Sequence, residues 1–416
     1  MMGWTRVRIG DLCNTISDTY HGDDPEVILV NTSDVLEGQV LNHELVKNEK
    51  LKGQFKKTFL QNDILYSEIR PANKRFAFID FEDTSLYIAS TKLMVLRPNT
   101  SLVLPRYLFA ILKSQSVIDE LQHLAESRSG TFPQITFSSE LAPMEVFLPD
   151  IETQEKIVSV IDSFERKIIL NKRINTSIER LAKATFDSWF VDFDVFDEDF
   201  KDSPIGISIP ESLNLVQIAD IEHDLETGKR PKGGATANGI PSIGAESVKG
   251  IGNVNLSSTK YIPTEFANKL KKGKVNGYEL MIYKDGGKPG EFHPHFSMFG
   301  EGYPFETCYI NEHVFKLDFH DVGYNEFAYF FFQTDYVIHW LESNGGKAAI
   351  PGINQEVVNQ IWIYHYDHPI VRRFCKWVRP FMTEILKNCR ENMKLVELRD
   401  LIVPDLLAGN LDVSKL

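Results

Sequence analysis

Two stretches of helical periodicity, 217 residues apart, carry the same residues at the same steps. In the first, Ile157, Ile161, Phe164, Ile168, Asn171, Asn175, Ile178, Ala182, Thr185 and Trp189 advance by threes and fours, the period of a coiled-coil seam. Neither glycine nor proline occurs between positions 151 and 202. The spacing predicts a helix of roughly 38 residues, about 57 Å long, which cannot stand in water without a partner along its length. Val371, Phe374, Val378, Phe381, Ile385, Asn388, Asn392 and Leu395 form a second such stretch. Ile168, Asn171, Arg173, Asn175 and Leu181 recur as Ile385, Asn388, Arg390, Asn392 and Leu398 at the offset of 217, while Phe164 matches Phe381 and Ile178 matches Leu395. Each long helix thus supplies the partner the other lacks. The expectation is an antiparallel coiled coil with a domain at each end.

Asparagines inside such a seam cost stability and fix register, because a slipped pairing strands buried amides. Asn171, Asn175, Asn388 and Asn392 are therefore candidate register residues. The alternative places them at the solvent edge of the seam, where a slight rotation of the helix would expose them.

The segments flanking the helices read as mixed α and β structure. Residues 1–150 alternate β-like runs at 27–30, 63–66 and 92–96 with turns, followed by a helical piece at 107–124, a glycine turn at 127–131 and a closing strand at 146–149. Residues 203–366 repeat the plan, with β-like runs at 241–243, 279–283 and 313–317, a helical run at 325–341, a turn at 343–347 and a strand at 361–364. The division is 1–150, a helix and linker at 151–202, 203–366, and a second helix at 367–416. The fold class is α+β: two mixed α/β domains and two long helices, related by an internal pseudo-twofold repeat.

A net charge of −13 hides two basic islands. Positions 47–75 hold eight basic residues against three acidic ones, and positions 228–288 hold eleven against four, leaving −25 on the remainder. Shifted by 217, the first window becomes 264–292 and overlaps the second. Two basic surfaces on an acidic body suit nucleic acid; lysine-rich loops that are merely solvated are the alternative. No long apolar run follows Arg6 and Arg8, and the greasiest stretch, 327–341, is interrupted by Gln333, Asp335 and His339. A cytoplasmic protein without a membrane partner is expected. Cys13, Cys308, Cys375 and Cys389 show no paired spacing that would suggest zinc or a disulfide framework.

Motifs for chemistry are missing. No Pro-Pro pair is present to build the base-clamping loop of an amino-methyltransferase, and Gly250-Ile251-Gly252 lacks the third glycine of a nucleotide cradle. His293-Pro294-His295 and the acidic run from Asp192 to Asp199 lack the partners that zinc or calcium sites require. Asp150, Glu152, Glu155 and Lys156 do not have nuclease spacing. Binding outranks catalysis, and no catalytic or metal-ligating residue is assigned.

Five strings, taken in order, resemble the DNA specificity subunits of type I restriction-modification enzymes. They are Asp63-Ile64-Leu65-Tyr66-Ser67-Glu68-Ile69-Arg70-Pro71, the turn Ser129-Gly130-Thr131-Phe132-Pro133-Gln134-Ile135, the helix start Leu148-Pro149-Asp150-Ile151-Glu152-Thr153-Gln154-Glu155-Lys156-Ile157-Val158, Ser188-Trp189-Phe190-Val191-Asp192-Phe193, and the ending Leu406-Leu407-Ala408-Gly409-Asn410-Leu411. The second copy departs from the pattern: its helix start, 365–371, lacks the Gln-Glu pair, and Asn344-Gly345-Gly346-Lys347 stands in place of Ser-Gly-Thr.

The resemblance implies two target recognition domains, each reading half of a split site on double-stranded DNA, with the helices setting the gap. It implies two modification subunits docked on the helices and restriction subunits that translocate DNA. S-adenosylmethionine, ATP and Mg would sit on those partners, leaving no cofactor in this chain. Candidate DNA contacts are Lys56, Lys57, Arg70, Lys74, Arg75, Arg128 and Thr131 in the first half, and Lys229, Arg230, Lys271, Lys272, Lys274, Lys284, Lys288 and Lys347 in the second. A tandem adaptor that binds proteins is the competing reading, and a cryptic nuclease or methyltransferase a third.

Overall fold

The computed structural model describes residues 3–49, 53–128, 131–287, 290–346 and 351–413. The chain forms two units, Met1–Arg166 with Val396–Leu416, and Lys167–Leu395. Both long helices are continuous, Ile151–Phe190 with 40 residues and Pro369–Leu407 with 39, and each contributes a part to both units.

In the first unit the main sheet has the order Cys13–Ile16, Leu93–Pro98, Ile64–Ser67, Phe76–Phe78, all antiparallel. The two central strands are covered on both faces, which is why they read as unbroken apolar runs. Ile64, Tyr66, Met94 and Leu96 face the helices Pro105–Leu112 and Gln115–Arg128. Leu65, Leu93 and Val95 face Val30 and Ala89 of a second sheet, in which Glu26–Val30 lies parallel to Tyr87–Ser90. The single helical piece expected at 107–124 is two helices, because Ser114 N–H turns to Ile111 O and closes the first one at Lys113. Ile157, Ile161 and Leu406 of the long helices join this core.

The second unit repeats this four-strand order and adds a fifth strand in parallel at one edge. Its main sheet runs Asp224–Thr227, Val314–Asp318, Leu280–Tyr283, Phe296–Met298, Gly250–Ile251, and its smaller sheet sets Ile240–Ile243 parallel to Tyr309–Ile310. The helical run is again divided, into Tyr324–Phe331 and Asp335–Gly345, so 343–345 is helix rather than the expected turn. Phe186 and Phe190 of the first long helix enter an aromatic core, with ring centroids 5.5 Å from Phe374 and 5.0 Å from Phe327 respectively. Phe193 is buried in the same core, so the acidic stretch after the helix is anchored there rather than a free linker.

Within this unit the helices meet antiparallel, as expected. Asn171 Nδ2 donates to Asn392 Oδ1 at 2.9 Å, and Asn388 Nδ2 donates to Asn175 Oδ1 at 2.9 Å. The offset of 217 carries Asn171 onto Asn388 and Asn175 onto Asn392, and so carries one pair onto the other. Asn171 and Asn388 are 0% and 5% exposed, so these amides lie inside the seam. Among the described residues no helix is long and apolar enough to cross a membrane.

Candidate nucleic-acid interface

In the first unit the loop that carries Arg70 and Lys74 is built outward from a buried charge. Asp63, 1% exposed, stands at the start of the central strand and takes Arg97 Nε and Nη2 at 2.8 and 2.7 Å, together with the Leu60 N–H at 2.8 Å. This fork fixes where the strand begins, and therefore where it delivers its far end. There, Ile135 N–H donates to Glu68 O at 2.9 Å and Arg70 N–H to Pro133 O at 3.1 Å, so two of the strings singled out in sequence form one ladder. The turn Pro71–Asn73 follows, bounded by Arg70 at φ 46° and Lys74 at φ 53°, both in the left-handed region. Ala72 N–H donates to Gln122 Oε1 at 3.0 Å, tying the turn to the helix Gln115–Arg128.

The first-half candidates then separate by what their side chains touch. Lys56 and Thr131 are exposed. Arg70 is exposed, and its guanidinium has no hydrogen bond or ion pair among the described residues. Lys74 lies 3.9 Å from Glu37, a loose surface pair that competes weakly with solvent. The other three are engaged internally. Arg75 Nη1 donates to the carbonyls of Ser33 and Val35. Lys57 Nζ donates to those of Thr91 and Leu93, and burial lowers its pKa. Arg128 Nη1 is 2.7 Å from Glu140, whose other oxygen caps Thr136. Ser129 and Gly130 lie outside the described residues.

The second unit builds the same ladder from different residues. Ile353 N–H donates to Lys284 O at 2.8 Å and Gly286 N–H to Pro351 O at 2.9 Å. The buried carboxylate is Glu279, 1% exposed, which accepts the N–H groups of Asn276 and Gly277 and lies 3.6 Å from Lys316 Nζ, itself 3.1 Å from Glu226. At the tip, where the first unit has Arg70, stand Gly286 at φ 139° and Gly287 at φ 122°.

Beside this ladder the second unit gathers cations. Gly228 lies so close to Ile310 that a Cβ would fall 1.8 Å from its carbonyl oxygen, and a Cβ on Gly273 would fall 3.4 Å from Gly228 Cα. The 228–230 and 271–274 segments thus lie next to one another at Gly228 and Gly273. Exposed Lys229, Lys271, Lys272 and Lys274 flank that contact. A cleft lined by Lys229, Arg230 and Lys260 with Ser242 and Asn311 opens alongside. Arg230 lies 3.4 Å from Glu312. Lys284 is held by Glu312 O at 3.1 Å and Asp285 at 3.3 Å. Lys288 and Lys347 lie outside the described residues. Among the described residues no three His, Cys, Asp or Glu side chains converge on a possible metal position.

The remaining strings also have physical roles. Asp150 caps the first long helix through Thr153 N–H at 2.8 Å. Gln154 is fully buried; its amide donates to Leu102 O and Pro149 O and accepts from Leu104 N–H at 2.9 Å, locking the helix start to the neighbouring helix. The ending closes the second long helix at Leu407, with Gly409 at φ 70°. The Asp63–Arg97 and Glu279–Lys316 pairs, Gln154 and Lys260 were not among the candidates. A carboxylate at the head of an apolar strand was the signal available for the two pairs.

Two like α+β units, each with exposed cations beside a sheet ladder, define a duplicated α+β protein. The pattern of the type I restriction modification DNA specificity domain matches residues 1–180. The chain is 30% identical to the type I restriction enzyme HindI specificity subunit of Haemophilus influenzae, over 99% of this chain and 100% of that one. It is 26% identical to the MjaIX specificity subunit of Methanocaldococcus jannaschii, over 76% and 71%. The crystal structure of a type I restriction-modification S subunit from M. genitalium superposes with a TM-score of 0.57 at 15% identity, over 97% of this chain and 96% of that one. The chain belongs to the family of type I restriction enzyme specificity subunits.

Proposed function

We propose that this chain is the DNA-sequence-specificity subunit of a type I restriction-modification enzyme, its recognition domains at 1–150 and 203–366 each reading one half of a bipartite duplex target. The observation that carries the reading is the duplication itself: one ladder, built twice, each time beside exposed cations. Lys56 and Lys74 in the first unit, and Lys229, Lys271, Lys272 and Lys274 in the second, serve as phosphate contacts that position without reading sequence. A protein-binding adaptor has no need of such cations, which favours DNA. The helices at 151–202 and 367–416 set the gap, with the asparagine pairs holding their register. Leu170, Ile174 and Leu181 expose 52%, 37% and 51% of their surface along the first long helix, an apolar stripe suited to a modification subunit. Methylation with S-adenosylmethionine and ATP- and Mg-dependent translocation belong to partner subunits in the cytoplasm, and this chain catalyses neither.

Mapping methylated bases by single-molecule sequencing in cells carrying this chain and its modification partner should give a split motif with one fixed gap. A contiguous motif, or none, rejects the reading. Reversing Lys271, Lys272 and Lys274 to Glu should lower DNA affinity of the assembled complex more than tenfold and flatten its salt dependence by up to about three phosphates' worth. Unchanged binding removes that surface from the interface.

A further inference from the structure

We infer that Arg70 reads a guanine, through its O6 and N7 in the major groove, in the half-site of the first unit; the inference rests on the DNA-specificity reading above. Three observations converge on this residue. Its backbone is held in the left-handed region, φ 46° and ψ 77°, which costs a non-glycine residue free energy and persists only where the surroundings impose it. Those surroundings are present: its N–H is bound to Pro133 O, its C=O accepts Asn73 N–H at 2.8 Å, Pro71 follows it, and the turn is fastened to Gln122. Second, the repeat supplies an internal control. The second unit has Gly286 at the tip of the same ladder, at φ 139° rather than 46°, so the ladder itself does not demand a left-handed arginine. An arginine in a strained conformation that the ladder does not demand points to its side chain as the reason for the position. Third, of the arginines around this loop, Arg75 and Arg128 are tied to protein oxygens, whereas the Arg70 guanidinium is exposed and has no such partner among the described residues. A planar five-donor fork on a rigid turn matches the two acceptors that guanine alone presents side by side in the major groove.

The test uses the complex of this chain with its modification subunit, comparing wild type, Arg70→Gly and Arg70→Lys by methylated-site mapping and by binding to duplexes varied one base pair at a time. Wild type should require a G·C pair at one position of one half-site. Arg70→Gly, whose backbone tolerates the turn without strain, should keep its thermal midpoint and lose about ten- to a hundredfold of discrimination at that position alone. Arg70→Lys, retaining charge but not the fork, should bind DNA and still lose most of that discrimination. The gap and the other half-site should not change. Full discrimination in Arg70→Gly, or a loss spread evenly over all sequences, overturns the assignment while leaving the split-site reading standing. Absence of any split motif in wild type overturns both.

Discussion

The two units agree in the hydrogen bonds made by main chain and differ in the side chains around them, most completely where those reach solvent. Each has a buried carboxylate at the head of its central strand, a cation from the neighbouring strand, and the same two-bond ladder at the strand's end. The residues filling these roles differ: Asp63 with Arg97 in one, Glu279 with Lys316 and Glu226 in the other. At the tip the change is complete, from Arg70 to Gly286 and Gly287. Selection on a scaffold constrains geometry, which several residue types can provide. On the proposed reading, what is read constrains the exposed atoms, and two half-sites would need two sets.

The sharpest way to break this comparison is at the buried charges. Arg97→Ala leaves Asp63 without its fork and should cost about 3–5 kcal/mol. Lys316→Ala strands two carboxylates rather than one and should cost at least as much. Chemical denaturation of the full chain measures both. Losses below about 1 kcal/mol would mean that water reaches these sites and that the equivalence is only geometric.

The helix starts provide the next contrast. The first long helix is locked by the Gln154 amide; 217 positions on stands Val371, fully buried. Gln154→Val strands the Leu104 N–H and two carbonyls, and Val371→Gln buries an amide among apolar neighbours. Each should cost about 1–3 kcal/mol in the same measurement. If the double exchange restored stability, the two starts would be interchangeable and their divergence incidental.

Much of this was legible in sequence because it rests on period and offset. The seam residues, both long helices and the main strands follow from apolar spacing, and the candidate register asparagines from the repeat. What was not legible depends on who meets whom across the chain. Lys57 and Arg75 carry the same charge as Lys56 and Arg70, yet their heads are engaged by the carbonyls of Thr91, Leu93, Ser33 and Val35, residues remote in sequence. Asn344 and Gly345 look like turn residues and continue a helix, because Val337 and Leu341 are buried on its apolar face and Gly345 is buried with them. The family-like strings were visible as strings; that two of them form one ladder was not.

The asparagine pairs allow a finer test. Double-mutant cycles to alanine on Asn171 with Asn392, and on Asn388 with Asn175, should each give a coupling of about 0.5–1.5 kcal/mol. The repeat predicts agreement to within about half a kcal/mol. A pair with no coupling would show that one copy alone fixes the register.

The smallest expected effect comes from a carboxylate that breaks the symmetry of these pairs. Asn171 Nδ2 also donates to Glu391 Oε2 at 2.7 Å, and Lys167 lies 3.1 Å from the same carboxylate, whereas the position matching Glu391 in the first helix is Ile174. The Asn171 amide, then the Lys167 ammonium, hold the Glu391 carboxyl below the usual glutamate range. A carboxyl whose pKa is lower in the folded state than in the unfolded chain contributes stability above the unfolded value, about 4.3, and loses it as pH falls through the folded value. The seam should therefore weaken below about pH 4.3 through Glu391, and Glu391→Gln should remove that part of the pH dependence while leaving the Asn388–Asn175 pair untouched. Denaturation midpoints of wild type and variant, compared at neutral pH and near pH 3, measure the difference. Parallel pH profiles for the two proteins would show that the extra carboxylate is a surface contact only.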